Sequence, residues 1–456
     1  MAYYFSSGDR PRGETMRICM FVSNPISQDS RVKREAAHLA KAGHEVTIIG
    51  APGPGRPRTE RWEGVRFVRI GPLGHRLVAA IRSLFGALSF TNRRPGAPPA
   101  AEKGAGASPP PLQPATGRLR MWPASFRLWL GVTRTALAWV SAGLLRRADI
   151  YHAHDLDTLL YAWLCARVAR KRLVYDSHEL YVEWTEARGG APALVRWLKW
   201  VESRLAKTAS LVITVSDGIA DELQRLYGIP RPLVVRNCDE SRPFERRRDL
   251  RDRIGGDAAR PIILYQGGYT KNRGLEEAIR AAEDIPEADM VFLGPDSPYK
   301  VHLQDIAGRS PHRNVFLLTA VPADVLWQYT CGADIGLVLT QPFCLSYALS
   351  ESNKLYQYMA AGLPVVASAI ESHQRVAAET GAVALADPYN PQDIARTIKA
   401  LLADPKQREK MGRQGQAWTE RKYNATQEIG KLVAAYERLA QPTGSGKTDE
   451  GSPGKP

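Results

Sequence analysis

The alternation of short apolar runs with amphipathic segments constrains this chain more than any other feature. RICMFVS (17–23) reads as a buried strand, NPISQDS as a loop, RVKREAAHLAKAG as a helix and HEVTIIG as a second strand. Val32, Ala36, Leu39 and Ala40 lie on one helical face, Asp29 or Ser30 can accept a capping hydrogen bond, and Gly43 ends the helix. Strand, helix and strand within about thirty residues make a βαβ unit, whose two strands run parallel in one sheet.

The same rhythm resumes at residue 149. ADIYHAHD, RLVYDSHE, SLVITVS and PLVVRN read as strands, separated by the helices LDTLLYAWLCARVARK, PALVRWLKWVESRLAKTA and DGIADELQRLYG. A polar, Arg-rich stretch (239–260) interrupts it and is expected to be a linker. A second series follows, with strands PIILYQGGY, ADMVFLGP, NVFLLTA, DIGLVLT, LPVVAS and GAVALA and helices RGLEEAIRAAED, PADVLWQYTCGA and SNKLYQYMAAG. PQDIARTIKALLADP and QEIGKLVAAYERLA close it. A chain of 456 residues is too long for one core and suits two domains. The expectation is therefore two doubly wound parallel α/β domains (16–238 and 261–438). They would face a cleft at the carboxyl ends of their strands, where such sheets bind ligands. Residues 1–15 and 439–456 are expected to be disordered.

An insertion-like region (75–148) separates the first βαβ unit from the rest of its domain. HRLVAAIRSLFGALSF (75–90) and MWPASFRLWLGVTRTALAWVSAGLLRRA (121–148) are amphipathic, and the Pro-, Gly- and Ala-rich stretch 92–117 cannot build a core. The formal net charge is +15, and from Arg56 to Arg147 there are 16 Lys or Arg against 3 Glu. The two amphipathic segments either pack on the sheet or lie in a membrane interface, where helices bearing Trp and Arg are at home. The local excess of positive charge suits an anionic surface or acceptor.

Other classes are set aside by what the chain lacks. No apolar run is long enough to span a bilayer, and the first residues carry no secretory pattern. Cys19, Cys165, Cys238, Cys331 and Cys344 are scattered, odd in number and without a CxxC, which fits reduced thiols in a cytosol. GSGKT (444–448) resembles a phosphate loop, but Gln441 stands where the pattern needs Gly and no strand precedes it. The first βα turn has no GxGxxG, which argues against a dinucleotide-dependent dehydrogenase. His152 and His154 share a strand face with no third ligand at metal spacing, so no metal site is expected.

Two helix starts point to an anion. In NKLYQYMAAGLPVVAS (353–368), Ser352 or Asn353 caps a helix whose first turn carries Lys354, a cation that opposes the helix dipole unless an anion sits at the tip. Gly362 ends this helix, and Pro364 turns the chain back into the sheet. In YQGGYTKNRG (265–274), Gly267 and Gly268 let backbone approach a ligand, Lys271 is nearby, and Arg273 opens the next helix. Together they suggest a diphosphate clamp. HAHD (152–155) and YDSHE (175–179) place polar groups, His178 among them, at strand ends of the first domain.

In DSRVKREAAHLAKAGHEV, YHAHDLDTL, VYDSHEL, YQGGYTKNRGLEEAI and NKLYQYMAAGLPVV, taken in order, the chain resembles the retaining glycosyltransferases of family four, which have the two-domain GT-B fold. The resemblance implies a nucleotide-sugar bound by the second domain and an acceptor bound by the first. It also implies a last helix that crosses back to the first domain. It assigns Arg273 and the helix start at Asn353–Lys354 to the donor diphosphate, His178 to the vicinity of the transferred sugar, and Gly267 and Gly268 to the turn facing the cleft. Where the family commonly has Glu-x7-Glu, this chain has Leu349 and Gln357. Gln357 can still hydrogen-bond a ribose hydroxyl, and Glu351 is a candidate replacement for the first carboxylate. Asp29, Arg31 and His154 are expected on the acceptor side.

The expected activity is metal-independent, retaining transfer of a sugar from a nucleotide-sugar to a saccharide or lipid-linked acceptor, in cell-surface polysaccharide or glycolipid biosynthesis. The nucleotide-sugar is a substrate, no cofactor is expected, and nucleic acid is not a partner. The expected location is the cytoplasm, with peripheral contact to the inner face of an anionic membrane. The competing readings are a catalytically silent GT-B binding protein and a sugar-nucleotide epimerase.

Overall fold

The computed structural model describes residues 15–26, 29–70, 124–240, 242–257 and 259–441. The amphipathic segment 75–90, the stretch 92–117 and the GSGKT sequence lie outside the described residues.

Two sheets form. The first contains Arg17–Phe21 (β1), Glu45–Gly50 (β2), Thr59–Trp62 (β3), Val65–Arg69 (β4), Ile150–His154 (β5), Arg172–Ser177 (β6), Leu211–Thr214 (β7) and Leu233–Val234 (β8), in the order β3-β4-β2-β1-β5-β6-β7-β8. The second contains Ile262–Gln266 (β9), Asp289–Gly294 (β10), Val315–Thr319 (β11), Ile335–Val338 (β12), Val365–Ser368 (β13) and Val383–Ala386 (β14), in the order β11-β10-β9-β12-β13-β14. Among the described residues all pairs are parallel except β3–β4, an antiparallel hairpin whose first strand falls in a stretch that reads locally as loop. Thr59–Trp62 alternates exposed and half-buried positions because it is an edge strand with one covered face.

In both sheets the order reverses beside the first strand, at β1/β5 and at β9/β12. This switch point opens a crevice beyond the strand ends. On one face of the first sheet, Trp139, Leu159, Cys165, Leu205 and Leu223 come from four helices and share a core. On the other face, Val32 and Leu39 of the first helix meet Ile429, Leu432 and Tyr436 of the last, Ala425–Ala440. That final helix follows the second domain in sequence yet packs on the first. Glu428 accepts a 2.9 Å hydrogen bond from the Arg236 amide, and the Tyr436 hydroxyl lies 2.8 Å from His152 Nδ1.

The helix Ala124–Leu144 packs on the sheet, with Trp139 in the core against Phe21 and Tyr161. This favours packing over an interfacial position for that tryptophan. Within the stretch read as linker, Asp249–Ile254 is a helix whose Leu250 is buried in the second domain's core. The helix Pro405–Arg421 also departs from expectation, since Gly412 and Gly415 weaken its helical signal. They are there for space: a Cβ on Gly412 would lie 2.0 Å from the Gly362 carbonyl oxygen.

Candidate functional site

The cleft between the sheets holds three cavities of about 700, 350 and 300 Å³ that share Asn353. The largest lies on the first-domain side, against Asn24, Asp29 and Arg31. The middle one is lined by His178, Glu179, Arg273, Tyr347 and Lys354. The third runs into the second domain beside Gly267, Leu293, Val321 and Gln357.

The middle cavity is electropositive for identifiable reasons. The helix Asn353–Ala360 begins at Ser352, whose side chain makes no cap hydrogen bond, so its first amides, at residues lining the cavity, have no acceptor among the described residues. Lys354 and Arg273 are both half-buried there, and neither forms an ion pair among the described residues. Arg273 donates to the Tyr347 hydroxyl at 3.2 Å and lies over its ring, a contact that orients the guanidinium without neutralising it. Burial, and then the neighbouring Arg273, bring the Lys354 ammonium down to a pKa of about 7. Gly267, with φ +147°, lets Lys354 reach this place: a Cβ there would stand 2.3 Å from Lys354 Cε.

His178 faces the same cavity from the end of β6. Its Nδ1 lies 3.2 Å from Asp155 and its Nε2 3.2 Å from Asp176. Burial alone would hold the ring neutral, but these two carboxylates outweigh it and raise its pKa well above the usual imidazole value. An imidazolium with both N–H groups committed to carboxylates is a fixed positive charge and a poor general base. Glu179 beside it is pushed up to about 7, by burial and then by Asp155.

Behind His178 lies a buried polar network. Arg31 donates to Asp176 at 2.9 and 3.1 Å, to the Val235 carbonyl at 2.6 Å, and pairs with Glu35 at 3.1 Å. Glu35, His152, His154 and Asp176 bring donor atoms within 4.8 Å of one another, so ligand spacing absent along the strand is present in space. Arg31 already occupies this cluster, and its guanidinium stands where a cation would.

Several sequence-based assignments change place. His154 is fully buried, 3.2 Å behind His178, and does not face an acceptor. Arg31 lines the large cavity, but its guanidinium is held by Asp176 and Glu35. Asp29 caps the first helix by accepting from the Val32 amide at 3.1 Å, and Asn24 also donates to it. Gly268 and Lys271 are exposed and line none of the three cavities, because Gly267 alone makes the turn that faces the cleft. Glu351 borders two cavities, yet its carboxylate is bound by Arg236 at 2.8 Å and by the Tyr356 hydroxyl. Gln357 lies in the third cavity and bridges Gln266 at 2.8 Å and Asp239 at 2.6 Å. Asp155, Asp176, Glu179 and Tyr347 were not singled out from the sequence. YDSHE and HAHD were its only trace of the first three, and nothing local marks Tyr347.

Two family models match the chain. "Glycosyl transferases group 1" matches residues 246–418 and "Glycosyltransferase Family 4" matches residues 88–238. Among characterised proteins, the chain is 26% identical to 2-deoxystreptamine glucosyltransferase of Streptomyces kanamyceticus over 66% of its own length and 82% of the relative's. It is 23% identical to alpha-D-kanosaminyltransferase of the same organism, over 53% of this chain and 64% of that one. In fold it resembles sucrose-phosphate synthase from Thermosynechococcus elongatus, with TM-score 0.70, 17% identity and coverage of 93% and 99% of the two chains. Anabaena Alr3699/HepE in complex with UDP and glucose gives TM-score 0.63, 15% identity and coverage of 92% and 99%.

Proposed function

Taking as premise that the chain belongs to the glycosyltransferases of family four and has their GT-B fold, we propose that it transfers a sugar from a nucleoside-diphosphate sugar to a saccharide or lipid-linked acceptor. The reaction retains anomeric configuration, as the family resemblance implies, and needs no metal. It serves cell-surface polysaccharide or glycolipid synthesis, in the cytoplasm or at the inner face of its membrane.

One observation carries this reading: two cations that form no ion pair among the described residues and an uncapped helix tip converge on one cavity. A half-buried pair of cations with no ion-pair partner among the described residues is unfavourable until an anion arrives. When the bond from the anomeric carbon to the diphosphate breaks, negative charge grows on the leaving group. Arg273, Lys354 and the Asn353 and Lys354 amides stabilise it there. His178 lines the sugar side of the same cavity with its charge balanced by Asp155 and Asp176, and the acceptor approaches through the large first-domain cavity. The complex of the Anabaena protein with UDP and glucose suits this donor class.

Thermal unfolding across nucleoside diphosphates and nucleotide-sugars tests the proposal. At a ligand concentration of about 100 Kd the stabilisation is about 2.7 kcal/mol, readily visible as a rise in Tm. Arg273→Ala should remove most of that shift, and a complete absence of any diphosphate-dependent shift would overturn the reading. A second reading, a silent binding protein, draws on Gln357, whose amide is tied to Gln266 and Asp239. Nucleotide binding with no turnover of any nucleotide-sugar would favour it.

A further inference from the structure

On the face of the first sheet that carries Trp139, the helices Ala124–Leu144, Leu156–Ala169 and Pro192–Ala206 lie side by side and share one core. Their outer sides are unusual in two respects. The first is apolar exposure: Trp200 is 59% exposed, Leu137 and Val168 are each 66% exposed, and Trp197 and Leu160 are also open to solvent. The second is charge. On the last of these helices and its end, Arg196, Lys199, Arg204 and Lys207 are exposed, and none forms an ion pair among the described residues. Glu202, on the same helix, is buried and bound by Tyr175 and Tyr227. The three helices present no exposed carboxylate among their described residues.

The spacing makes this one surface. Trp197, Trp200 and Arg204 fall on a single helical stripe, and so do Leu160, Arg167 and Val168 on the neighbouring helix. The Arg204 guanidinium lies 5.9 Å from the centre of the Trp200 ring. Indole rings and long cationic side chains on an outward stripe suit the headgroup region of a bilayer, where the ring is half-solvated and the cation meets phosphate. No helix among the described residues is long and apolar enough to cross a membrane.

We propose that this three-helix face is a docking surface for an anionic lipid bilayer, with Trp197 and Trp200 inserted at the headgroup level. Charge complementarity selects the occupant. Within the chain, segment 71–123 carries seven Lys or Arg against one Glu, so it is repelled by a cationic face. An anionic sheet of phosphates satisfies the cations, and its glycerol and upper acyl layer takes the indoles. The surface explains how a membrane-borne acceptor would be met, and it rests on the reading above for that purpose alone.

The test is co-flotation of the full chain with phosphatidylglycerol-containing vesicles and with pure phosphatidylcholine vesicles. Binding is expected on the anionic vesicles only and is expected to fall in about 1 M salt, where screening acts within ~3 Å. Lys199→Glu with Arg204→Glu should weaken partitioning about tenfold or more, since each cation near such a surface contributes appreciably. Quenching of indole fluorescence by brominated acyl chains should be present in the native chain and lost in W197F/W200F. The proposal is overturned by absence of flotation, by equal binding to both vesicle types, or by native-like binding of the charge-reversed variant. An acidic protein captured in preference to anionic vesicles overturns it too. Diphosphate-induced thermal shift, measured on the same variants without lipid, reports the transfer reading separately and is expected to be unchanged.

Discussion

Lys354 lies directly against the backbone of Gly267: a methyl group on that glycine would stand 2.3 Å from Lys354 Cε. The two residues are far apart in sequence, Gly267 just after β9 and Lys354 in the first turn of the helix Asn353–Ala360. The missing side chain of one makes room for the cation of the other. Gly267→Ala therefore carries two costs. Its φ of +147° strains any L-residue, at about 1–3 kcal/mol of stability, and the methyl displaces the ammonium from the cavity. The expected outcome is a lowered urea midpoint together with a loss of diphosphate affinity, while Gly268→Ala, exposed and off the cavity, leaves affinity unchanged. Calorimetric titration with a nucleoside diphosphate distinguishes the two.

The depressed Lys354 fixes a pH dependence. With its pKa at about 7 in the free protein, the side chain is largely neutral above that pH and charged below it. A bound diphosphate favours the ammonium, so binding takes up a proton when the pH lies above about 7. Affinity should fall as pH rises through that range. Titrations in buffers of different ionisation enthalpy will show the uptake. Lys354→Arg should abolish it, because a guanidinium stays charged throughout.

His178 gives a second window, from a pKa displaced in the other direction. Asp155 and Asp176 raise its folded-state pKa well above that of the unfolded chain. The stabilisation it contributes is fully present below the unfolded value of about 6.5 and is lost as pH rises through the folded value. Asp155→Asn removes one of the two carboxylates, so that loss should be smaller and complete at lower pH. His178→Phe should remove this component of the profile. Urea unfolding at a series of pH values provides the comparison, and imidazole proton resonances at neutral pH should show His178 doubly protonated in the native chain only.

Local chemistry made much of this molecule readable. The βαβ pattern from Arg17 to Gly50 follows from apolar periodicity and a capped helix, and the tip at Asn353–Lys354 follows from a cation placed against a helix dipole. Features held by distant partners were not readable. Glu351 looked available for a ligand because nothing near it in sequence shows Arg236, 115 positions away, taking its carboxylate. His154 looked like a cleft residue because a strand face says nothing about which histidine stands in front. Pro405–Arg421 was obscured by Gly412, pressed by the backbone of Gly362, and by Gly415, pressed by the Ala382 and Met359 side chains. In each case a tertiary contact outweighed the local preference.

The Arg236–Glu351 pair ties the first sheet's exit to the helix tip of the second domain. Both side chains are almost fully buried, at 8% and 4% exposure, and Arg236 also meets Asp217. Nearby, Leu349 is buried in the first domain's core, and a Cβ on Gly218 would lie 3.0 Å from its Cδ2. The segment from Leu349 to Glu351 thus plugs the second domain into the first by an apolar contact, an ionic contact and a 2.7 Å hydrogen bond from the Ser216 hydroxyl to the Leu349 carbonyl. Glu351→Gln leaves Arg236 with Asp217 alone and should cost about 3 kcal/mol, the lower end for a broken buried pair. Leu349→Glu restores the carboxylate common in the family but buries a charge in an apolar cluster, so it should destabilise more and open the cleft. Urea unfolding measures the first effect. Small-angle scattering measures the second as an increase in radius of gyration. An unchanged radius in Leu349→Glu would mean that the cleft is held closed by other contacts.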